Sequence, residues 1–375
     1  MRAFVFTDKT LERRAGQFVW LSIDTEKAGN AAFTRQFPVE DLPTFFVLDS
    51  ATEAPALKWL GGATVAQVQE LLDDALRTVA AGNRGVDEIL ARADRVFGEG
   101  KNAEAARLYR EALAAAPRTW PRYGRALESM LYTLDATKDP EGCARMARDG
   151  FVRLKSTPSA ANVAASGLGC ALSMKPDNPE RQELLEALRA DALAVVRSKR
   201  SDIAADDVSS VFQALEQDRE DAKDTAGRRT LLEEHASFLE RRASSAKKPE
   251  ERAVFDSHRL GAYLDLGQPE RAVPMLRQSE KDFPGDYNPP ARLAVAYNAM
   301  KKRDEAAEAS DRALGKAYGP RRIGILQVRA DIEAGRGDAA ASRRYLEEAL
   351  RTAEALPEGQ RSDRTIASLR KKLGS

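Results

Sequence analysis

The spacing of apolar residues changes character along the chain. Phe18 to Ile23, FVWLSI, is a continuous apolar run of strand length ending at Asp24, which predicts a strand covered on both faces. Phe33 and Phe37 then stand four apart, on one face of a short helical segment that Pro38 limits. DLPTFFVLD, Asp41 to Asp49, reads as a second buried strand, and Pro43 must open it because proline cannot donate to a sheet ladder. LKWLGG, Leu57 to Gly62, reads as a third strand closed by a glycine pair. Val65, Val68, Leu72, Leu76 and Val79 follow at steps of three and four and predict an amphipathic helix.

From about residue 86 the pattern is helical throughout, with alanine on the faces where helices meet. Val86, Ile89, Ala93 and Val96 lead to Gly100, then Ala105, Tyr109, Ala112 and Pro117. Leu260, Tyr263, Gly267, Ala272, Leu276 and Pro284 repeat the arrangement. Leu293, Ala294, Tyr297, Ala306 and Ala313 repeat it again, with Lys301 at the turn where glycine is expected. A further unit runs through Ala330, Gly337, Leu346 and Ala349. This resembles the tetratricopeptide (TPR) repeat, whose two helices need small residues where they cross, and Ala272 and Ala306 are separated by its 34-residue period. The expected architecture is a TPR-like α-solenoid of helical hairpins over 86–375. It is degenerate in 120–250, where turns such as TKDPEG and KPDNPE keep the hairpin rhythm.

Residues 1–82 resemble the thioredoxin fold, in particular thioredoxin-like domains of the DsbD C-terminal type. Val5-Phe6-Thr7-Asp8 matches the segment after that family's active-site helix, Phe18–Asp24 the following strand, and Trp59-Leu60-Gly61-Gly62 the strand that ends in glycine. Phe37-Pro38-Val39-Glu40-Asp41-Leu42-Pro43-Thr44 matches its f-x-V-x-x-x-P-T signature. The resemblance implies a cis Leu42–Pro43 bond and a substrate-docking role for Leu42, Pro43 and Thr44. It also implies a C-x-x-C nucleophile that this sequence does not contain, so no catalytic residue is assigned. The strand that would carry the cysteines is likewise missing from the pattern. Either the recorded start is an internal methionine of a longer protein, or another element completes the sheet. The expected fold class is thus α/β followed by all-α.

Composition narrows the chemistry. Lys and Arg total 59 against 58 Asp and Glu, a balance that advertises neither a nucleic-acid partner nor an anionic membrane. Cys143 and Cys170 are too few for a disulfide framework or a zinc cluster and read as buried structural thiols; His235 and His258 do not make a metal site. No metal or cofactor is expected. Gly167-Leu168-Gly169 lies inside a helix, without the preceding strand that a phosphate loop needs, and Arg336-Gly337-Asp338 falls at a repeat turn. Trp59 and Trp120 read as packing residues rather than groove linings. No run has the length of a membrane span.

Two functions follow. One is a thioredoxin-family protein with a TPR-like binding array, a thiol–disulfide oxidoreductase or redox partner-protein only if a C-x-x-C lies upstream and inactive as it stands. The other is a non-catalytic TPR interaction scaffold holding protein or peptide clients. The chain as written reads cytoplasmic, with a periplasmic, cell-envelope address as the alternative if an export signal precedes it.

Overall fold

The computed structural model describes residues 4–39, 42–198 and 200–374. Glu40 and Asp41 of the proline signature lie outside the described residues. The chain forms two compact units, Met1–Ala15 with Val39–His235, and Gly16–Pro38 with Ala236–Ser375. This division does not follow the change of pattern at 82–86: the first hairpins belong with the sheet, and a stretch of the N-terminal region belongs with the last hairpins.

A short helix α1 (Ala31–Gln36) belongs to the second unit; from Val39 on, the first unit continues with β1 (Thr44–Leu48) and β2 (Pro55–Leu60), followed by α2 (Val65–Val79). The Leu42–Pro43 bond is cis, as expected, and the Pro43 carbonyl accepts from Gly61 N–H at 2.9 Å. β1 and β2 pair antiparallel, Phe45 opposite Trp59 and Val47 opposite Leu57. Thr64 caps α2 in a reciprocal box with Gln67, which places the amphipathic face of the helix against β2.

The expected thioredoxin-type sheet is not present: among the described residues the sheet has two strands. Phe18–Ile23 is not a strand but an irregular segment of the second unit, with Val19 88% and Leu21 75% exposed. A continuous apolar run signals burial without naming a backbone partner, and a strand with no neighbour leaves its donors and acceptors to water. What covers β2 instead is the first repeat helix, α3 (Val86–Gly98). Lys58 on β2 is only 1% exposed, and its ammonium lies 4.7 Å from the centre of the Phe97 ring of α3, a cation–π contact.

The helical-hairpin array is present. α3 pairs with α4 (Asn102–Ala115), α5 (Tyr123–Ala136) precedes α6 (Pro140–Leu154), α7 (Ala160–Ser173) precedes α8 (Arg181–Arg197), and α9 (Ala205–Asp221) leads into α10 (Thr225–Ser244), inside which the units divide. In the second unit a short α11 (Pro249–Ala253) precedes α12 (Asp256–Asp265) and α13 (Ala272–Asp282). Then come α14 (Asn288–Ala299) with α15 (Arg303–Leu314), α16 (Arg321–Gly335) with α17 (Ala339–Glu354), and a closing α18 (Asp363–Leu373). Leu326, Ala349 and Leu369 form the core of this last group.

One turn recurs. Gly100, Lys138, Lys223, Gly267, Lys301 and Gly337 all have left-handed backbones, with φ between 56° and 86°. After each of them the next N–H returns to a carbonyl five residues back at 2.8–3.1 Å, from Lys101 to Val96 through to Asp338 to Glu333. This is the Schellman closure, which satisfies orphan carbonyls at the end of the first helix. Asp139, Asp224 and Asp338 then cap the second helix, their carboxylates accepting from Gly142, Gly227 and Ala341 N–H.

The two cysteines are not free thiols. Cys143 and Cys170 form a disulfide between α6 and α7, with Cα atoms 6.0 Å apart. Both are buried on helix faces, as expected, and the packing of α6 against α7 brings those faces together. Gly167 is a packing glycine as expected, against Ala147 and Leu188.

Candidate functional site

Each unit carries one polar constellation that packing alone does not explain. In the second unit it is a seat for the chain's own residues 24–36. Glu26 accepts from the Tyr287 hydroxyl at 2.9 Å and pairs with Arg321 at the start of α16. Asp24 accepts from the Tyr318 hydroxyl, while Gln360 donates to the Thr25 and Lys27 carbonyls at 2.8 Å each. Thr34 of α1 donates to the Gly359 carbonyl at 3.0 Å. Two glycines make the approach possible: a Cβ on Gly319 would collide with the Glu26 carbonyl oxygen, and one on Gly359 with that of Ala31. Burial works against the Asp24 charge, but the Tyr318 hydroxyl and the Glu26 N–H outweigh it and hold the carboxyl below its ordinary range. The same bond pushes the Tyr318 hydroxyl up to about 12. Side chains of the array thus read both the carboxylates and the backbone of an irregular segment.

In the first unit the constellation surrounds a cavity of about 400 Å³. Its walls come from Trp59 of β2, from α2, from the start of α5, and from Leu154–Ser159 before α7. α7 packs on both α5 and α9, so the first helices of successive hairpins lie side by side there. Arg122 donates to Asp74 at 2.7 Å and to both oxygens of Asp87; Arg125 grips Asp94 with 2.9 and 3.0 Å bonds and lies 3.0 Å from Asp74. Burial opposes the Arg125 charge, and the Asp94 and Asp74 carboxylates more than offset it, so the guanidinium stays protonated.

Glu128 is different. It lines the same cavity, is 7% exposed, and accepts from Asn162 Nδ2 at 2.7 Å on Oε2, while Oε1 is buried with no hydrogen-bond partner. Burial pushes its carboxyl up to about 7, against the pull of Ser159, Asn162 and Arg125. Asp207 at the start of α9 is also raised well above its ordinary value, by burial first and then by Glu128 and Asp206.

A third group has triad geometry without a triad's setting. Ser209 Oγ lies 2.7 Å from His235 Nε2, and His235 Nδ1 lies 2.9 Å from Glu216 Oε1, with the ring stacked 4.9 Å from Phe212. Ser209 and His235 are wholly enclosed, and none of the three lines the cavity above. No substrate carbonyl has room to reach Oγ, so these residues work as a packing network between α9 and α10.

The sequence-assigned docking residues lie elsewhere. Leu42 is exposed, Pro43 precedes β1 and Thr44 begins it; the sequence placed none of the cavity's charged residues. Trp59 does line the cavity, contrary to the packing-only reading, whereas Trp120 is buried and donates to Asp87 at 2.8 Å. No group of three or more His, Cys, Asp or Glu side chains suited to a metal occurs among the described residues.

No protein-family model matches the chain, and no curated protein does. Solved structures similar to it include a tetratricopeptide repeat protein from Parabacteroides merdae, at 10% identity over 77% of this chain and 99% of that one, with a TM-score of 0.45. Another is an assembly chaperone of RpL4 (Acl4), at 14% identity over 78% and 97%, TM-score 0.36. A third is the TPR2AB domain of yeast Sti1 in complex with an HSP90 peptide, at 14% identity over 77% and 98%, TM-score 0.29. Such scores do not fix a common global arrangement, and the hairpin assignment rests on the turns and pairings described above.

Proposed function

We propose that this protein is a non-catalytic scaffold whose TPR-like array binds segments of other polypeptides. The observation that supports this reading is the seating of residues 24–36 on the second unit. There, Arg321, Tyr287, Tyr318 and Gln360 engage carboxylates and main-chain carbonyls of a segment far away in sequence. A surface that meets backbone groups in this way suits a partner's chain as well as its own. The test uses the full chain with Glu26→Lys, which removes the carboxylate that Tyr287 and Arg321 hold and leaves the seat itself unaltered. A fluorescent peptide of residues 16–38 with Glu26 in place should bind the E26K protein saturably and bind the unaltered protein at least tenfold more weakly. Equal, unsaturable signals from both would end the scaffold reading.

A second reading keeps the thioredoxin-type role for Leu42, Pro43 and Thr44 as a docking edge for a thiol–disulfide partner. It is supported by the order β1, β2, α2 with Pro43 opening the first strand. In this reading the chain itself lacks reductase activity, since its cysteines are joined to each other and it has no C-x-x-C. Turnover in an insulin-type disulfide reduction assay would reverse that conclusion. The same disulfide favours a cell-envelope address over the cytoplasm, because such bonds persist in oxidising compartments. Alkylation of both cysteines in freshly lysed, unreduced cells would argue for the cytoplasm instead.

A further inference from the structure

The seat on the second unit already holds a segment, and its contacts show which features of a polypeptide are read there. Two carboxylates two residues apart are met by side chains of the array. Asp24 Oδ2 accepts from the Tyr318 hydroxyl, and Glu26 accepts from the Tyr287 hydroxyl at 2.9 Å and pairs with the Arg321 guanidinium. Glu26 is the one ion-pair partner of Arg321 among the described residues. The other Asp24 oxygen, Oδ1, accepts from Glu26 N–H at 2.9 Å, an Asx-type turn that swings the second carboxylate towards Tyr287 and Arg321. A glutamate at position 24 is one methylene too long to close that turn, so the order Asp-x-Glu is part of what the seat selects. Between and after the acids, Gln360 donates to the Thr25 and Lys27 carbonyls, contacts that any residue supplies. The Thr25 and Lys27 side chains make no hydrogen bond or ion pair with the seat among the described residues, which leaves both positions open to substitution.

The attachment is of the exchangeable kind. None of residues 24–33 is buried, so lifting them from the array opens no core, and the bonds that hold them are polar and reach solvent. The chain also runs on past both ends of the contact, from Ile23 before Asp24 and into α1 after Asn30, so the seat reads an internal segment and not a chain terminus. On the scaffold reading, which this step presupposes, we infer that the seat recognises internal Asp-x-Glu segments of other polypeptides, and that residues 24–36 occupy it as a built-in competitor. The aspartate of such a segment meets Tyr318, its glutamate meets Tyr287 and Arg321 through charge-assisted bonds, and its main chain meets Gln360. Because the competitor is tethered, it returns to the seat at an effective concentration on the order of millimolar, and a partner in trans must work against that.

The experiment measures, by fluorescence anisotropy, the binding of labelled peptides of residues 20–36, capped at both ends, to the full chain carrying Glu26→Lys. The native peptide should bind saturably. A peptide with Asp24→Asn and Glu26→Gln should bind at least tenfold more weakly, and one with the acids exchanged, Asp24→Glu with Glu26→Asp, at least fivefold more weakly. Alanine at Thr25 and Lys27 of the peptide should change affinity by less than threefold. Arg321→Gln in the E26K protein should weaken the native peptide at least tenfold and the double-amide peptide less than twofold, a coupling that general loss of structure does not produce. Absence of saturable binding by the native peptide removes the scaffold reading and this inference together. Native and double-amide peptides bound within twofold of each other leave the scaffold reading standing and overturn this inference alone. So does tighter binding of a peptide that stops at Lys27 with a free carboxylate, the mark of a reader of chain ends. Equal, saturable binding of the native peptide by the unaltered and E26K proteins overturns the competitor role.

Discussion

Replacing Glu128 by glutamine should make the protein more stable at pH 8 and change it little at pH 5. The carboxyl is moved from an ordinary 4.5 to about 7 by burial. In the folded state it therefore holds its proton through a pH range in which the unfolded chain has lost it. Because the folded form binds more protons there, stability falls as pH rises from about 4.5 to 7, and the loss is complete above the folded value. At about 1.36 kcal/mol per pH unit across that interval, the loss amounts to about 3 kcal/mol. The glutamine does not titrate, so it escapes this loss. It carries a cost of its own: its carbonyl must take over the bond from Asn162, which turns the amide towards the space where Oε1 now lacks a partner. That cost is the same at both pH values and cancels in the comparison. Urea unfolding of both proteins at pH 5 and pH 8, with slopes compared to confirm that the same surface is exposed, gives the difference directly. The variant's advantage should grow by about 2.5 kcal/mol between the two conditions, since about 0.8 kcal/mol of the loss is already present at pH 5. An advantage that stays constant, or shrinks, would show that Glu128 ionises normally and is solvated in a way the cavity geometry does not suggest.

Lys301→Gly should raise stability by about 0.5 kcal/mol in urea unfolding, the relief of a left-handed side chain less the chain entropy that glycine adds. Gly337→Val at the equivalent turn should lower it by about 1–2 kcal/mol, and a neutral result at both positions would mean that the turns are not what closes the hairpins. His235→Ala should cost about 2–4 kcal/mol by calorimetry, since it leaves the enclosed Glu216 without its Nδ1 contact and removes the stack on Phe212; retention of full stability would dismiss the packing role. Replacing Cys143 and Cys170 together by serine should cost about 3–4 kcal/mol, from a closed loop with a sequence separation of 27, and reductant should have the same effect on the unaltered protein.

How far the sequence could be read depended on whether the deciding interaction was local. Helix periodicity and turn chemistry are local, so α2, the α3–α4 hairpin and the α14–α15 and α16–α17 hairpins lie where the spacing of alanines and glycines put them. Lys301 is instructive, because it stands where the repeat calls for glycine and still adopts the left-handed conformation. The same substitution recurs in 120–250: Lys138-Asp139, inside the TKDPEG turn that the pattern does show, and Lys223-Asp224, which it does not, each combine a left-handed residue with the next helix's cap, as Gly337-Asp338 does. A search for lysine or glycine followed by aspartate, in place of glycine alone, would have found the turn at Lys223-Asp224 as well. The strand expected at Phe18–Ile23 failed for the opposite reason, since only a neighbouring strand could have made it one, and apolar content carries no information about neighbours. The cavity was the least legible feature. Glu70, Asp74, Arg122, Arg125 and Glu128 look in sequence like the solvated charges of any helix surface. Glu128 is set apart only because Asn162, Ser159 and Asp207, on or just before later helices, converge on it. A charged residue's helical position predicts its face, but its ionisation depends on what the following hairpins bring against that face. In a repeat array, the sites that matter for binding therefore depend on the packing of successive repeats more than on the motif within any one of them.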